Sequence, residues 1–179
     1  KVGGEIIRSS KRQDADIFND DLFISKYEND LVVGFLESDY YINNNLTVRA
    51  GVRAANYSLY NKSKVSPRLS MAYKTSENAQ ISLAYGKFHQ LPENETLIRS
   101  NLAQFEESDH YLANYQVVKN NRTFRIEGYY KNYRSLVKYD GADSFNPLAY
   151  NNTGDGFAKG VDVFFKDSES IKNGQFWIS

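Results

Sequence analysis

Three features of the sequence predict an all-β chain folded as an antiparallel up-and-down meander. Apolar residues recur with a period of two along most of the chain. No helical period is sustained over three turns. Brief polar turns alternate with longer polar loops. The pattern is clearest over residues 65–90, where Leu69, Met71 and Tyr73 alternate with Arg68, Ser70, Ala72 and Lys74, and Ile81, Leu83 and Tyr85 alternate with Gln80, Ser82, Ala84 and Gly86. Ser76, Glu77 and Asn78 link the two arms with residues suited to a tight turn, so the stretch reads as a hairpin.

The other elements follow in order. Gly3 to Arg8 is the tail of a strand, and residues 9–28 read as an acidic loop. Leu31, Val33 and Phe35 then alternate with Val32, Gly34 and Leu36 as far as Tyr41, before a turn at Asn43, Asn44 and Asn45. The next strand sets Leu46, Val48, Ala50, Val52 and Ala54 against Thr47, Arg49, Gly51 and Arg53. Loops at 57–64 and 91–108 flank the hairpin. Tyr111, Ala113, Tyr115 and Val117 resume the alternation, Lys119 to Asn121 turns it back, and a long strand runs from Arg122 to Arg134. After a loop at 137–153, Val161, Val163 and Phe165 oppose Gly160, Asp162 and Lys166. A turn at Ser168 to Gly174 leads into a last strand, giving nine strands with the first and last incomplete.

Composition narrows the function. The 22 basic residues balance the 22 acidic ones, so no overall field recruits nucleic acid. The chain has no cysteine, which excludes a disulfide framework and thiolate metal sites. No run approaches the roughly 20 apolar residues of a membrane helix. A membrane barrel escapes that test, because its strands show only alternation over about ten residues. Brief turns on one side, variable loops on the other, long strands and frequent tyrosines describe an outer-membrane barrel wall. A soluble β-sandwich that binds or adheres to a ligand is the competing class. In the barrel the apolar side of each strand faces lipid, which assigns Arg49, Arg53, Arg125, Glu127 and Asp162 to the lumen.

Catalytic signals are missing: there is no GxSxG element and no nucleophile beside a plausible base, so no enzyme and no cofactor is expected. Asp14, Asp16, Asn19, Asp20 and Asp21 fail the calcium-loop pattern, because Phe18 stands at a ligand position and Asn19 where glycine is required. His89 and His110 flank the 91–108 loop, yet strand parity puts them on opposite faces, which argues against a shared metal site. The same loop is the candidate ligand contact. It gathers Gln90, Glu93, Arg99 and Gln104 with the two histidines, above Phe88 and Asn114 on the lumen side.

Five stretches in order, VSPRLSMAYK (65–74), LAYGKFHQLPENETL (83–97), ESDHYLANYQV (107–117), RIEGYYKNYRSLV (125–137) and NTGDGFAKGVDVFFK (152–166), resemble the middle of TonB-dependent outer-membrane receptors. TVRAGVR (47–53) looks like the upstream member of the series. The ending GFAKGVDVFFKDSESIKNGQFWIS (156–179) is similar to the branch that carries an N-terminal carboxypeptidase-regulatory-like domain. The resemblance implies a sector of a twenty-two-stranded barrel whose lumen is filled by a plug domain. It further implies uptake of a scarce extracellular ligand (an iron chelate, cobalamin, a glycan or a peptide) with energy relayed by TonB through the plug. On that expectation residues 1–179 are a partial barrel domain that lacks the plug and the C-terminal strands, and its partners are the ligand, the TonB complex and outer-membrane lipid.

Overall fold

The computed structural model describes residues 1–17, 21–100, 103–139, 146–172 and 174–179, with backbone only at 9–17, 21–28, 98, 99 and 147. Nine strands form one antiparallel sheet in strict chain order. They are β1 (Val2–Ile17), β2 (Asp21–Tyr41), β3 (Leu46–Tyr57), β4 (Lys62–Lys74), β5 (Ala79–Gln90), β6 (Glu106–Lys119), β7 (Arg122–Lys138), β8 (Asn151–Asp167) and β9 (Phe176–Ile178). Each pairs only with its neighbours in sequence, so β1 and β9 are open edges.

Register converts the alternation of single strands into two coherent faces, because residues paired across an antiparallel ladder point the same way. One row runs Ala50, Leu69, Tyr85, Tyr111, Tyr130, Lys159, and the next runs Val48, Met71, Leu83, Ala113, Gly128, Val161. This face is apolar, and its side chains are exposed: Val65 at 56%, Leu69 at 51% and Val161 at 66%. No second layer covers them among the described residues, which is the arrangement of a wall whose solvent is lipid. Tyr85, Tyr111, Tyr130 and Phe157 form a ladder of rings with centroids 5.2, 6.3 and 6.1 Å apart. The other face carries Arg49, Arg53, Arg125, Glu127 and Asp162.

One set of connections is tight. Asn120 and Asn121 both adopt positive φ (50° and 55°), the two-residue turn whose twist matches the strands it joins. The Asn43 side chain accepts from the amides of Asn45 (2.8 Å) and Leu46 (2.9 Å). Asp167 accepts from the amides of Glu169 and Ser170, both at 2.8 Å, and pairs with Arg122 at 2.8 Å, which fixes the β8–β9 turn.

The opposite connections depart from the sequence reading. Residues 9–28 are largely strand: β1 and β2 stay paired from Arg8↔Asp30 to Ile17↔Asp21. An antiparallel ladder satisfies its amides in pairs and needs no apolar alternation once it leaves the wall. Of the acidic run, Asp14 and Asp16 lie in β1 and Asp21 in β2, with their side chains outside the described residues, and Asn19 and Asp20 lie outside the described residues altogether. The 57–64 loop shrinks to a 3-10 turn at Ser58–Tyr60, ended by Asn61 at φ 48°. The 91–108 loop is shorter, with β6 starting at Glu106, and contains a helix, α1 (Asn94–Arg99). The described residues of the 137–153 loop include a 3-10 turn at Pro147–Ala149.

The β7–β8 ladder shifts register around Leu136, where Ser135 takes φ 57°. A Cβ added to Gly154 would sit 2.6 Å from the Leu136 carbonyl oxygen, so only glycine fits opposite this bulge. At Gly156 the nearest atom to an added Cβ is 3.9 Å away. Gly154→Val is expected to destabilise the end of this hairpin by about 1–3 kcal/mol through overpacking. The readout is faster amide exchange over residues 151–155 in the full-length protein, with Gly156→Ala leaving those rates unchanged.

Candidate functional site

The candidate site lies on the polar face, toward the end with the long connections. Gly51 and Gly86 sit on either side of Arg68 in one row and line a cavity of about 240 Å³, with the Phe88 ring lying over Gly86, 2.9 Å from where a Cβ would stand. Phe88, His110, Arg49 and Glu37 also line it. The Arg68 guanidinium lies 5.1 Å above the Phe88 ring, and Phe88 meets His110 at a centroid distance of 4.5 Å. Tyr133 meets the far side of His110 edge-on at 6.4 Å. Arg49 is committed to Asp39 (2.5 Å) and sits 3.5 Å from Glu37, whereas among the described residues Arg68 is positioned by stacking and makes no ion pair. A guanidinium against a planar aromatic stack suits a planar anionic group.

Farther out on the same face, Val33, Ala55 and Tyr57 form a small buried core with Phe105 from the β5–β6 connection. Phe105 meets the rings of Tyr57 and Tyr60 edge-on at 4.7 and 5.1 Å. Tyr60 donates its hydroxyl to the Ala103 carbonyl, and burial pushes its phenol up to about 12, so it remains a donor at physiological pH. From the other side the Asn152 amide donates to the carbonyls of Gln104 (3.0 Å) and Ser135 (2.7 Å), and its oxygen accepts from the Gln104 amide (2.7 Å). Lys62 reaches the Gln104 side chain at 2.9 Å. The described residues 103–105 of this connection therefore form a plate packed against the sheet and tied at two places, to Tyr60 across 43 residues of sequence and to Asn152 across 48.

The six candidate contacts separate into different settings. His110 is in the cavity wall. His89 is not: its side chain is 5% exposed, with Nδ1 3.1 Å from the Ser66 hydroxyl and Nε2 3.4 Å from Glu107. The β5–β6 ladder has no bulge that would bring the two rings together. Glu107 also holds Lys64 and Lys87, each at 3.1 Å. This cluster fills the space where the β4–β5 ladder stops at Arg68↔Gly86, beside Pro67, which has no N–H to extend it. Gln90 donates to Glu106 at 2.9 Å, Glu93 is exposed at the start of α1, and Gln104 holds the plate. Arg99 ends α1, with its side chain outside the described residues. Among the described residues no group of three or more His, Asp or Glu could hold a metal ion.

Arg68, Phe105 and Asn152 were not singled out from the sequence. Arg68 could have been, because it has the parity of the polar face and lies in the same row as Gly86 and His110. The other two act through contacts with no local signal.

A family model described as TonB dependent receptor-like, beta-barrel matches residues 5–177. A comparison with curated sequences finds no match. Among solved structures, the ferric enterobactin receptor PfeA in complex with BCV-L6 is similar over 80% of this chain and 25% of its own, with a TM-score of 0.68 at 11% identity. The siderophore receptor PirA from Pseudomonas aeruginosa is similar over 93% of this chain and 38% of its own, with a TM-score of 0.67 at 10% identity. The chain thus spans well under half of either structure, and at these identities the likeness is one of fold.

Asn152→Ala is expected to release the plate, since the groups it leaves unpaired cost about 1–3 kcal/mol. Amide exchange over residues 103–106 reports the release, and unchanged protection there would show that aromatic packing alone holds the plate.

Proposed function

The chain belongs to the TonB-dependent receptor β-barrel family, and on that premise we propose that residues 1–179 are part of the barrel of a receptor that binds a scarce extracellular ligand and imports it with TonB-derived energy. Walls of this family lie in the bacterial outer membrane. The apolar face meets lipid, and the face bearing Arg49, Arg53, Arg125, Glu127 and Asp162 lines the lumen, where the plug domain supplied by the rest of the receptor would sit. The plug couples the receptor to TonB. The tight turns face the periplasm, and the β1–β2, β3–β4, β5–β6 and β7–β8 connections face outward.

The observation that carries this proposal is the stack of Arg68, Phe88 and His110, on the lumen side and toward the outward connections. A ligand entering from outside meets it after passing the plate. Among iron chelates, cobalamin, glycans and peptides, an iron chelate with planar anionic groups fits the stack best. The two solved structures described above are a ferric enterobactin receptor and a siderophore receptor, which favours the same class. His110, Gln90, Glu93, Arg99 and Gln104 remain candidate contacts, while His89 supports the wall beside them.

The test pairs a deletion strain, grown on ferric chelates, cobalamin, glycans or peptides as sole source, with ligand titration of the purified receptor. Growth should be lost on a ferric chelate. Arg68→Ala should weaken binding about ten- to a hundredfold, a charge-assisted contact being worth roughly 1.5–3 kcal/mol. Growth lost only on a glycan or peptide source, or undiminished affinity in the Arg68→Ala receptor, would reject this ligand class.

A further inference from the structure

The apolar face is not uniform. Between the ring row of Tyr85, Tyr111 and Tyr130 and the row of Tyr73, Ile81, Tyr115 and Ile126 lies the row of Met71, Leu83, Ala113, Gly128 and Val161. Ala113 and Gly128 are neighbours in register, so the middle of this row is a trough, and the groove it forms encloses about 900 Å³. A Cβ built on Gly128 would have no atom within 4 Å, so nothing in the chain uses this space.

The groove is oblique to the band. On β4 it begins at Met71, one position on this face from the inner limit at Tyr73. On β7 it passes Gly128, one position from the outer limit at Tyr130. At its outer end stands Lys159, paired in register with Tyr130 and the only charged side chain that register places in these rows. Its ammonium lies 5.5 Å from the Phe157 ring centroid, and no carboxylate among the described residues forms an ion pair with it. A lysine at the aromatic row of a lipid-facing wall carries its charge to the headgroup level. The apolar trough and this cation are thus joined end to end, as the two parts of one amphiphile would require.

We propose that this groove is a site for an anionic lipid of the outer leaflet, one acyl chain lying along Leu83, Ala113 and Gly128 and its phosphate meeting Lys159. The inference goes beyond ligand uptake, which uses the opposite face, and rests on the membrane placement and orientation of the wall proposed above.

The experiment uses the complete receptor in nanodiscs of phosphatidylcholine. They are doped with phosphatidylglycerol carrying a mid-chain diazirine or, in a matched arm, with phosphatidylcholine carrying the same probe. Cross-links should concentrate on residues 81–85, 111–115 and 126–130, with the anionic probe labelling about fivefold more, as one surface lysine provides. Lys159→Gln should erase the headgroup preference while neutral labelling persists. Gly128→Leu, which the open space accommodates, should remove labelling by both probes at these residues, and inorganic phosphate should not compete. Labelling spread evenly over the apolar face, an unaltered preference in Lys159→Gln, displacement by inorganic phosphate, or cross-links from these residues to a second receptor copy would each overturn the site.

Discussion

A wall in lipid has no water to hydrogen-bond its backbone, so every amide must be satisfied by the neighbouring strand. In this chain that constraint is met by eight successive antiparallel pairings, nearly all in unbroken register. The consequence reaches beyond the backbone. With a side-chain period of two, a slip of one residue at any pairing would send Leu83 or Tyr111 to the polar face and Arg68 or Glu127 to the apolar one. A charge at the bilayer midplane costs about 2–4 kcal/mol, so an error in one strand is penalised at several positions together. Register therefore determines which residues can form a site at all: Arg68, Phe88 and His110 meet because β4, β5 and β6 keep phase across Gly86. The same pairing leaves β1 and β9 with unpaired edges, which only further strands could satisfy within lipid.

The ladder is broken where lipid no longer enforces it. Pairing of β4 with β5 ends beside Pro67, and the space beyond is occupied by Lys64, Ser66, Lys87, His89 and Glu107. Two ammonium groups and an imidazole on one carboxylate take the place of backbone bonds, an exchange a polar environment tolerates and hydrocarbon does not. The β7–β8 bulge at Leu136 lies at the same end. Irregularity is thus concentrated beside the long connections, while the band bearing Tyr85, Tyr111 and Tyr130 remains regular.

The sequence made the wall legible because lipid imposes alternation on each strand separately: Leu46 to Ala54, Leu69 to Tyr73 and Tyr111 to Val117 each state their faces without reference to partners. It left the β1–β2 extension illegible, since residues 9–28 meet no such demand and their ladder depends on pairing alone. Helix α1 escaped notice for another reason. Six residues are too few for a helical period, and so short a helix owes its existence to the plate around it. The plate was invisible because its ties, Tyr60 to Ala103 and Asn152 to Gln104, join residues 43 and 48 apart. His89 and His110 illustrate the boundary: parity separates the rings, but only the three-dimensional arrangement reveals that one supports the wall and the other lines a cavity.

The plate also bears on how ligand could reach the stack. Its aromatic contacts, Phe105 against Tyr57 and Tyr60, lie on the same face as Arg68 and farther out, so a connection that began as a candidate contact surface is also part of the wall's outer rim. Its ties differ in kind. Burying a phenylalanine against two tyrosines is non-directional and survives small displacements, whereas the three hydrogen bonds of Asn152 are lost within about an ångström of movement. A ligand that draws on the Gln104 backbone would compete with Asn152 first and leave the aromatic packing in place. The Tyr60 hydroxyl on the Ala103 carbonyl is of the directional kind as well, so the residues around Phe105 are held by one adaptable set of aromatic contacts and by directional ties from the β3–β4 connection and from β8.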